Sequence, residues 1–384
     1  MADPRDEMAQ IRAALEQADG DLVSALDARA RAIRSFVALR ERDPEGYHVL
    51  PGTADVLARV RELRREFPES GLEPVFREVL GACAAMIAPV QVAVLGPEAG
   101  STHLAARRWF GAQAEVRAHA SVADVFAELD RGRVAHAVVP FETSTDGALS
   151  ATLACLVDTG AKVIGETTMP NAWHLYSRTG NAADVEKVYG AATTIAMCER
   201  TLKADFPRAA LLDVRSGIVA AQLALEDHGA AALGSELLED LGTMLRSGAR
   251  RAERALAERT SERPGAEPSL RVVRRHVEDD PGASTRFLVL GQQQPRRTGT
   301  DRTMIVLALS EDPGSLYAAL QPFAERGINL TRLESRPARS SAWHLVFFVE
   351  LDGHNSDRAV LTAIDEVKAR ARHLKVLGSY PRPA

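Results

Sequence analysis

Ser284-Thr-Arg-Phe-Leu-Val-Leu-Gly291 sets the reading of the whole chain. Its apolar run, Phe287 to Leu290, reads as a buried strand that ends at a glycine. Thr285 and Arg286 stand at the lip of that strand, where a hydroxyl and a guanidinium can meet a small anionic substrate. About forty residues later comes Gly327-Ile-Asn-Leu-Thr-Arg-Leu-Glu-Ser-Arg-Pro337, which reads as a strand over Ile328 to Glu334.

Working outward, the segment before the octapeptide alternates. Val92 to Leu95, Ala137 to Val139, Lys162 to Gly165 and Leu211 to Val214 are short apolar runs separated by helical stretches. That order predicts an α/β region with largely parallel strands. Arg246 to Ser269, dense in Arg, Glu and Ala, reads as a solvated helix plus loop. Beyond the octapeptide, a polar linker from Gly291 leads to strand, helix, strand, strand, helix, strand over residues 304–380. This βαββαβ order is that of an α+β, ferredoxin-like sandwich. Before Pro89 the chain is all-α. Ile11, Leu15, Leu22, Leu26, Ile33 and Val37 recur at helical intervals in one long helix, and two shorter helices are expected over 54–67 and 73–87. So long a helix in so small a region suggests a partner chain.

With 384 residues, two or three domains are expected. A net charge of -5 gives no reason to expect nucleic acid or a membrane surface as partner. Cys83, Cys155 and Cys198 have no metal or redox spacing and read as reduced core thiols. The polar N-terminus lacks a signal-peptide layout, and the apolar stretch at 81–96 is broken by Pro89 and Gln91, so a cytoplasmic protein is expected. His103, His119, His136 and His174 have no partners at ligand spacing, and no metal or organic cofactor is expected.

Several motifs of the middle region resemble the prephenate dehydratase family. Leu95-Gly-Pro-Glu-Ala-Gly-Ser-Thr-His103 is similar to that family's Gly-Pro-x-Gly-Thr opening, with one inserted residue. Read by itself, it is a glycine turn whose N–H groups could hold a carboxylate at a helix start. Val138-Val-Pro-Phe-Glu-Thr-Ser144 resembles Val-Pro-x-Glu-Asn-Ser, with Thr143 in place of Asn. Asp213-Val-Arg-Ser-Gly-Ile-Val-Ala-Ala221 resembles Ser-Thr-x-x-Ala-Ala, with Gly217 in place of Thr. Thr285-Arg286-Phe287 resembles the catalytic signature. The resemblance implies two α/β lobes with a cleft, and conversion of prephenate, or its aminated relative arogenate, by loss of carbon dioxide and the ring hydroxyl. It implies catalytic roles for Thr285, Arg286, Ser216, Glu142, Thr143 and Ser144, and substrate contacts from Ser101, Thr102 and Phe287. Thr285 would hydrogen-bond or protonate the departing hydroxyl through a relay partner, since a free alcohol is a poor acid.

The flanking regions carry resemblances of their own. The N-terminal helices are similar to a chorismate mutase domain, with Arg12 and Arg29 as carboxylate clamps and Arg40 where Lys is usual. Gly52-Thr53 stands where that family has Arg-Glu, and Cys83 and Ile87 where it has Ser and Gln. Weak or absent mutase activity and a dimerising role are therefore expected. Asp312-Pro-Gly-Ser-Leu and Glu334-Ser-Arg-Pro337 resemble the phenylalanine-sensing ACT domain. That implies an effector site from Gly314, Ser315, Leu316, Asn329, Leu330, Glu334, Ser335 and Arg336, shared by paired domains in a homodimer or larger homo-oligomer. The expected domains are a mutase-like domain at 1–89, a dehydratase domain at 90–291 and a sensor at 303–384. Two further classes fit the same motifs: a prephenate decarboxylase-like enzyme, and a non-catalytic phenylalanine-binding regulator.

Overall fold

The structure, a computed structural model, describes residues 4–43, 50, 52–239, 269–337 and 345–382. The 246–268 portion of the charged segment lies outside the described residues, as do residues 44–49, Pro51 and Trp343. The chain divides into two compact units, one of residues 1–90 with 110–115 and the other of residues 91–109 with 116–384. No described helix is long and apolar enough to cross a membrane.

The first unit is helical, as its periodicity predicts: α1 (Pro4–Arg42), α2 (Thr53–Leu63) and α3 (Glu69–Ile87). Asp6 and Glu7 in the first turn of α1, and Arg40 and Arg42 in its last, complement the helix dipole. The second helix stops at Leu63, short of the expected Phe67, where Arg64 leaves helical geometry at ψ 143. Ile33, Leu57 and Cys83 form the buried centre, which sits under only the later part of α1. Arg77 and Arg61 both pair with Glu73 at the start of α3. Met8, Ile11, Leu15, Leu22 and Val23 on the earlier part of α1 stay exposed, Leu15 at 61%.

The second unit opens with β1 (Gln91–Leu95), α4 (Ser101–Phe110), β2 (Glu115–His119), α5 (Val122–Asp130), β3 (His136–Thr143), β4 (Gly147–Ala148), α6 (Ser150–Asp158) and β5 (Lys162–Pro170). The chain then crosses to a second sheet through Asn171, Ala172 and Trp173. There it forms β6 (His174–Ser177), β7 (Lys187–Gly190), α7 (Ala192–Ala196), α8 (Glu199–Asp205), β8 (Ala210–Asp213), α9 (Gly217–Glu226), β9 (Ala230–Gly234) and β10 (Arg271–Arg274). Residues 275–283 bring it back to the first sheet as β11 (Ser284–Gly291). The strand orders are β2-β1-β3-β11-β5 and β10-β6-β9-β7-β8.

The sheets are mixed, which corrects the expectation of largely parallel strands. β1 pairs with β3, and β7 with β8 and β9, in parallel. β11 runs antiparallel to both neighbours, and β6 to β9 and β10. A strand returning from another sheet needs no crossover helix and can enter in either direction. Both faces of β11 are covered, so Phe287, Leu288, Val289 and Leu290 are all fully buried and form a continuous apolar run.

The last segment forms β12 (Asp301–Ala308), α10 (Ser315–Glu325), β13 (Leu330–Pro337), β14 (Leu345–Asp352), α11 (Arg358–Arg370) and β15 (His373–Pro381), the βαββαβ order read from the sequence. Its four strands lie in the order β13-β14-β12-β15. Ile305, Leu307, Phe323, Val349 and Ile364 fill the space between this sheet and its helices. The other face packs on the first sheet, where Met304, Phe348, Leu377 and Tyr380 join Val139, Phe141, Leu288 and Leu290 in one core. A side chain at Gly378 would overlap the Val163 carbonyl, so only glycine lets β15 approach β5 this closely. Lys375 donates to the carbonyls of Leu156 and Val157 at 3.3 and 2.8 Å, a cation at the C-terminus of α6.

Candidate active site at the crossover between two sheets

Thr285 is the second residue of β11, where the chain has just returned from the second sheet. Its side chain is 7% exposed. The hydroxyl donates to Asn171 Oδ1 at 2.7 Å, and the Asn171 N–H donates to the Ala283 carbonyl at 2.9 Å. On the other flank Ser144 clamps Ser284: the Ser144 N–H donates to the Ser284 carbonyl at 2.9 Å, and the Ser284 N–H to Ser144 Oγ at 3.0 Å. Thr143 is the cross-strand partner of Thr285. Its hydroxyl accepts from the Asp146 N–H at 2.9 Å within its own turn. Ser284, Asn171 and Thr143 are half-buried and Ser144 is exposed, so the buried hydroxyl lies beside an open rim.

The two helix starts named in the sequence reading come together. Ala99 precedes α4 at φ 60 and its carbonyl accepts from Ser235 Oγ, after β9, at 2.7 Å. A Cβ on Gly217, the first residue of α9, would stand 3.6 Å from that of Ala99. Thus the N-termini of α4 and α9, one from each sheet, present free N–H groups around one place, a setting for carboxylates. Ser101 is half-buried and Thr102 buried on the first turn of α4. Ser216 caps α9, its Oγ accepting from the Val219 N–H at 3.4 Å. Behind this turn His103 is buried, and its Nδ1 accepts from the Ala99 N–H at 3.3 Å. Burial, with Arg107 beside it, lowers the imidazole to about 4, which keeps it neutral.

Arg286 and Glu142 lie elsewhere. Alternation along a strand sends Arg286 to the face opposite Thr285, and Glu142 is its cross-strand partner. That face meets the C-terminal sheet. Arg286 pairs with Glu166 of β5, with Glu350 of β14 at 2.9 Å and with Glu142 at 3.5 Å. Arg302 of β12 joins Glu166 at 2.7 Å, and Arg332 of β13 joins Glu142. The Phe141 ring lies 5.1 Å from the Arg286 guanidinium and 5.3 Å from that of Arg332. Burial works against the Arg286 charge, but Glu350 and Glu166 outweigh it and raise its pKa. Burial also weakens the acidity of Glu142, but Arg332 and Arg286 hold its carboxyl below the usual range. Burial pushes Glu350 up against the pull of Arg286. Phe287 has no exposed surface with which to meet a substrate. Arg286 and Glu142 are therefore removed from the hydroxyl they were expected to assist, because strand alternation turns them into a charged interface; Phe287 shares the Thr285 face but is sealed in the core.

Asn171, Glu166 and Glu350 are functional-site neighbours that no sequence motif marks. A carboxylate amid Phe347-Phe-Val-Glu-Leu351 was a readable sign of a buried ion pair. Asn171 follows a proline at a strand's end and carried no such signal.

The candidate effector residues form two groups. Leu330 is level with Leu351 and Thr303, whereas Gly314 follows Ala308 at the other end of β12. Five residues of strand separate these ends, roughly 16 Å. Gly314 starts α10 at φ 87, and Ser315 Oγ donates to the Asp312 carbonyl at 2.7 Å. Leu316 packs on the sandwich core, and Asn329 Nδ2 donates to Asp352 at 3.1 Å. Glu334 pairs with Arg332 at 3.5 Å and Arg336 at 3.1 Å, while Ser335 is exposed. Arg336 donates to Ser150 Oγ at 2.9 Å and to the Ala148 carbonyl at 3.0 Å. In the helical unit, Arg12 and Arg40 are exposed and Arg29 is half-buried. Gly52 and Thr53 open α2 on the exposed side, Cys83 is buried, and Ile87 half-buried.

Comparison with known proteins matches residues 92–246 to prephenate dehydratase and residues 303–369 to the ACT domain. A bifunctional chorismate mutase/prephenate dehydratase of Aquifex aeolicus is 32% identical over 382 residues, 98% of each chain. A prephenate dehydratase of Mycobacterium marinum is 35% identical over 254 residues, 65% of this chain and 72% of its own length. The crystal structure of an Arthrobacter aurescens prephenate dehydratase in complex with L-Phe is 29% identical with a TM-score of 0.60, covering 76% of this chain and 90% of that one. The resemblance carried by the Thr285-Arg286-Phe287 and Glu334-Ser-Arg-Pro337 stretches thus extends over the whole chain, which belongs to the bifunctional chorismate mutase/prephenate dehydratase family.

Proposed function

We propose that this chain converts prephenate to phenylpyruvate, carbon dioxide and water, in a domain of residues 90–291. Family membership along the full length carries this reading. The proposed site takes in the Thr285 rim with Ser144 and Thr143, together with Ser216, Ser101 and Thr102 at the two helix starts. The free N–H groups at the starts of α4 and α9 suit a substrate with two carboxylates. The bond to the ring carboxylate breaks, its carbon leaves as carbon dioxide, and the electron pair enters the ring. The C–O bond then breaks with its pair on oxygen. A proton delivered through the Thr285 hydroxyl, and replaced from solvent, makes that oxygen water. Aromatisation drives the step, so positioning carries much of the catalysis. Arg286 and Glu142 serve this site indirectly, by fixing β11 and β3 from behind.

Residues 303–384 act as a phenylalanine sensor. Gly314-Ser315 and Asn329-Leu330 lie too far apart to hold one amino acid within a chain, which favours a site completed between two copies across the edge strand β13. Residues 1–89 act mainly as a dimerising helix set. Each exposed leucine of α1 would contribute about 1.5–3 kcal/mol on burial against a second copy. Its mutase activity is weak or absent, since Gly52-Thr53, Cys83 and Ile87 supply no cation or amide for an ether oxygen. Incubating the protein with prephenate, and separately with chorismate, tests these assignments. Phenylpyruvate is expected from the first only. Its absence with prephenate would refute the dehydratase reading, and fast turnover of chorismate would refute the loss of the mutase.

A further inference from the structure

Resting on the dehydratase reading, we infer that Asn171 is a positioning residue for the reaction, its side-chain amide setting which way the Thr285 hydroxyl points. A threonine hydroxyl has one proton to give. In this structure that proton is directed at Asn171 Oδ1, 2.7 Å away, so the oxygen presents lone pairs to the rim. This polarity is wrong for a departing hydroxyl, which has to receive a hydrogen bond. A half-turn of the amide about its terminal torsion reverses the polarity: Nδ2–H donates to the threonine oxygen, and the hydroxyl proton turns outward. A hydrogen bond received by that oxygen also makes its own proton a stronger donor.

Neighbouring groups do not perform this task. Thr143 is held by the Asp146 N–H and Ser144 by the Ser284 N–H. Asn171 is fixed by its backbone to Ala283, two residues before Thr285, yet the residue is only half-buried. It is also the first residue of the crossover between the sheets, so a change in the angle between the lobes acts directly on the amide that orients the hydroxyl.

The decisive comparison is kcat and KM for prephenate in wild type, Asn171→Ala and Asn171→Asp, from pH 5 to 8, with the spontaneous reaction subtracted. Asn171→Ala is expected to lower kcat about 100-fold with little change in KM, as for a displaced reacting group. Asn171→Asp keeps the shape. Ionised, it accepts only and holds the hydroxyl in the wrong orientation; protonated, it can donate. Its activity relative to wild type is therefore expected to rise as pH falls. A kcat for Asn171→Ala within threefold of wild type would overturn the inference. So would an Asn171→Asp profile parallel to wild type, since a merely structural residue adds no new ionisation. Failure of the wild type itself to form phenylpyruvate would count against the dehydratase reading, before any variant is compared.

Discussion

Arg286 reaches from β11 to Glu350 of β14, Nη2 to Oε1 at 2.9 Å, while Thr285, one residue earlier, faces the opposite side of the same sheet. One strand thus links a charge pair shared with the C-terminal domain to the hydroxyl at the crossover. Within that cluster Arg332 contacts both Glu142 and Glu334, and Glu334 belongs to the sensor motif. Glu350→Gln leaves Arg286 and Arg302 sharing one buried carboxylate, Glu166. Breaking a buried pair from one side costs about 3–5 kcal/mol. The thermal midpoint is expected to fall, and phenylalanine, still bound by calorimetry, to lose its effect on rate. A variant as stable and as phenylalanine-responsive as wild type would contradict this coupling.

Gly378 tests the same interface through backbone packing. Its missing side chain is what allows β15 to lie against the Val163 carbonyl. Gly378→Ala is expected to destabilise by about 1–3 kcal/mol, the usual cost of overpacking. The phenylalanine response should weaken with it. Denaturant midpoints and rates with and without phenylalanine check both effects, and unchanged values would rule out the close contact.

His103 provides a pH signature. Its folded value, about 4, lies below the ordinary 6.5 because it is buried and beside Arg107. The unfolded chain takes up a proton that the folded chain refuses, so this part of the stability is whole above pH 6.5 and is lost as pH falls toward 4. The shift corresponds to ~3 kcal/mol. His103→Gln should therefore show a shallower fall in thermal midpoint than wild type between pH 7 and 4.5. Parallel curves would contradict the burial argument.

The exposed face of α1 predicts association. Leu15 is 61% and Leu22 57% exposed, with Ile11 beside them. Charging both positions, Leu15→Glu with Leu22→Glu, is expected to lower the mass seen in sedimentation from that of a dimer or larger assembly. Identical sedimentation of variant and wild type would remove α1 from the interface.

Much of this architecture was legible in the sequence. Helical periodicity gave α1 to α3, and the βαββαβ order was readable because each apolar run is bounded by turn residues. Strand direction was not. Phe287 to Leu290 is buried on both faces, and a continuous apolar run has no polarity to reveal that β11 returns antiparallel between β3 and β5. The hydroxyl at 285 was legible, but its surroundings were not. Adjacent letters in Thr285-Arg286 point to opposite faces, which assigns the arginine to an interface and the threonine to the rim. Asn171 is 114 positions away from Thr285, and only the pairing of β5 with β11 brings it near.

In the proposed reaction the Thr285 hydroxyl assists departure of the ring hydroxyl. The most direct test of that role is phenylpyruvate formation from prephenate by Thr285→Ala and Thr285→Ser. The alanine variant is expected to fold normally and lose about 10²–10⁴-fold in kcat, the range of a lost proton donor. The serine variant is expected to retain most turnover. Wild-type turnover by Thr285→Ala would exclude that role for the hydroxyl.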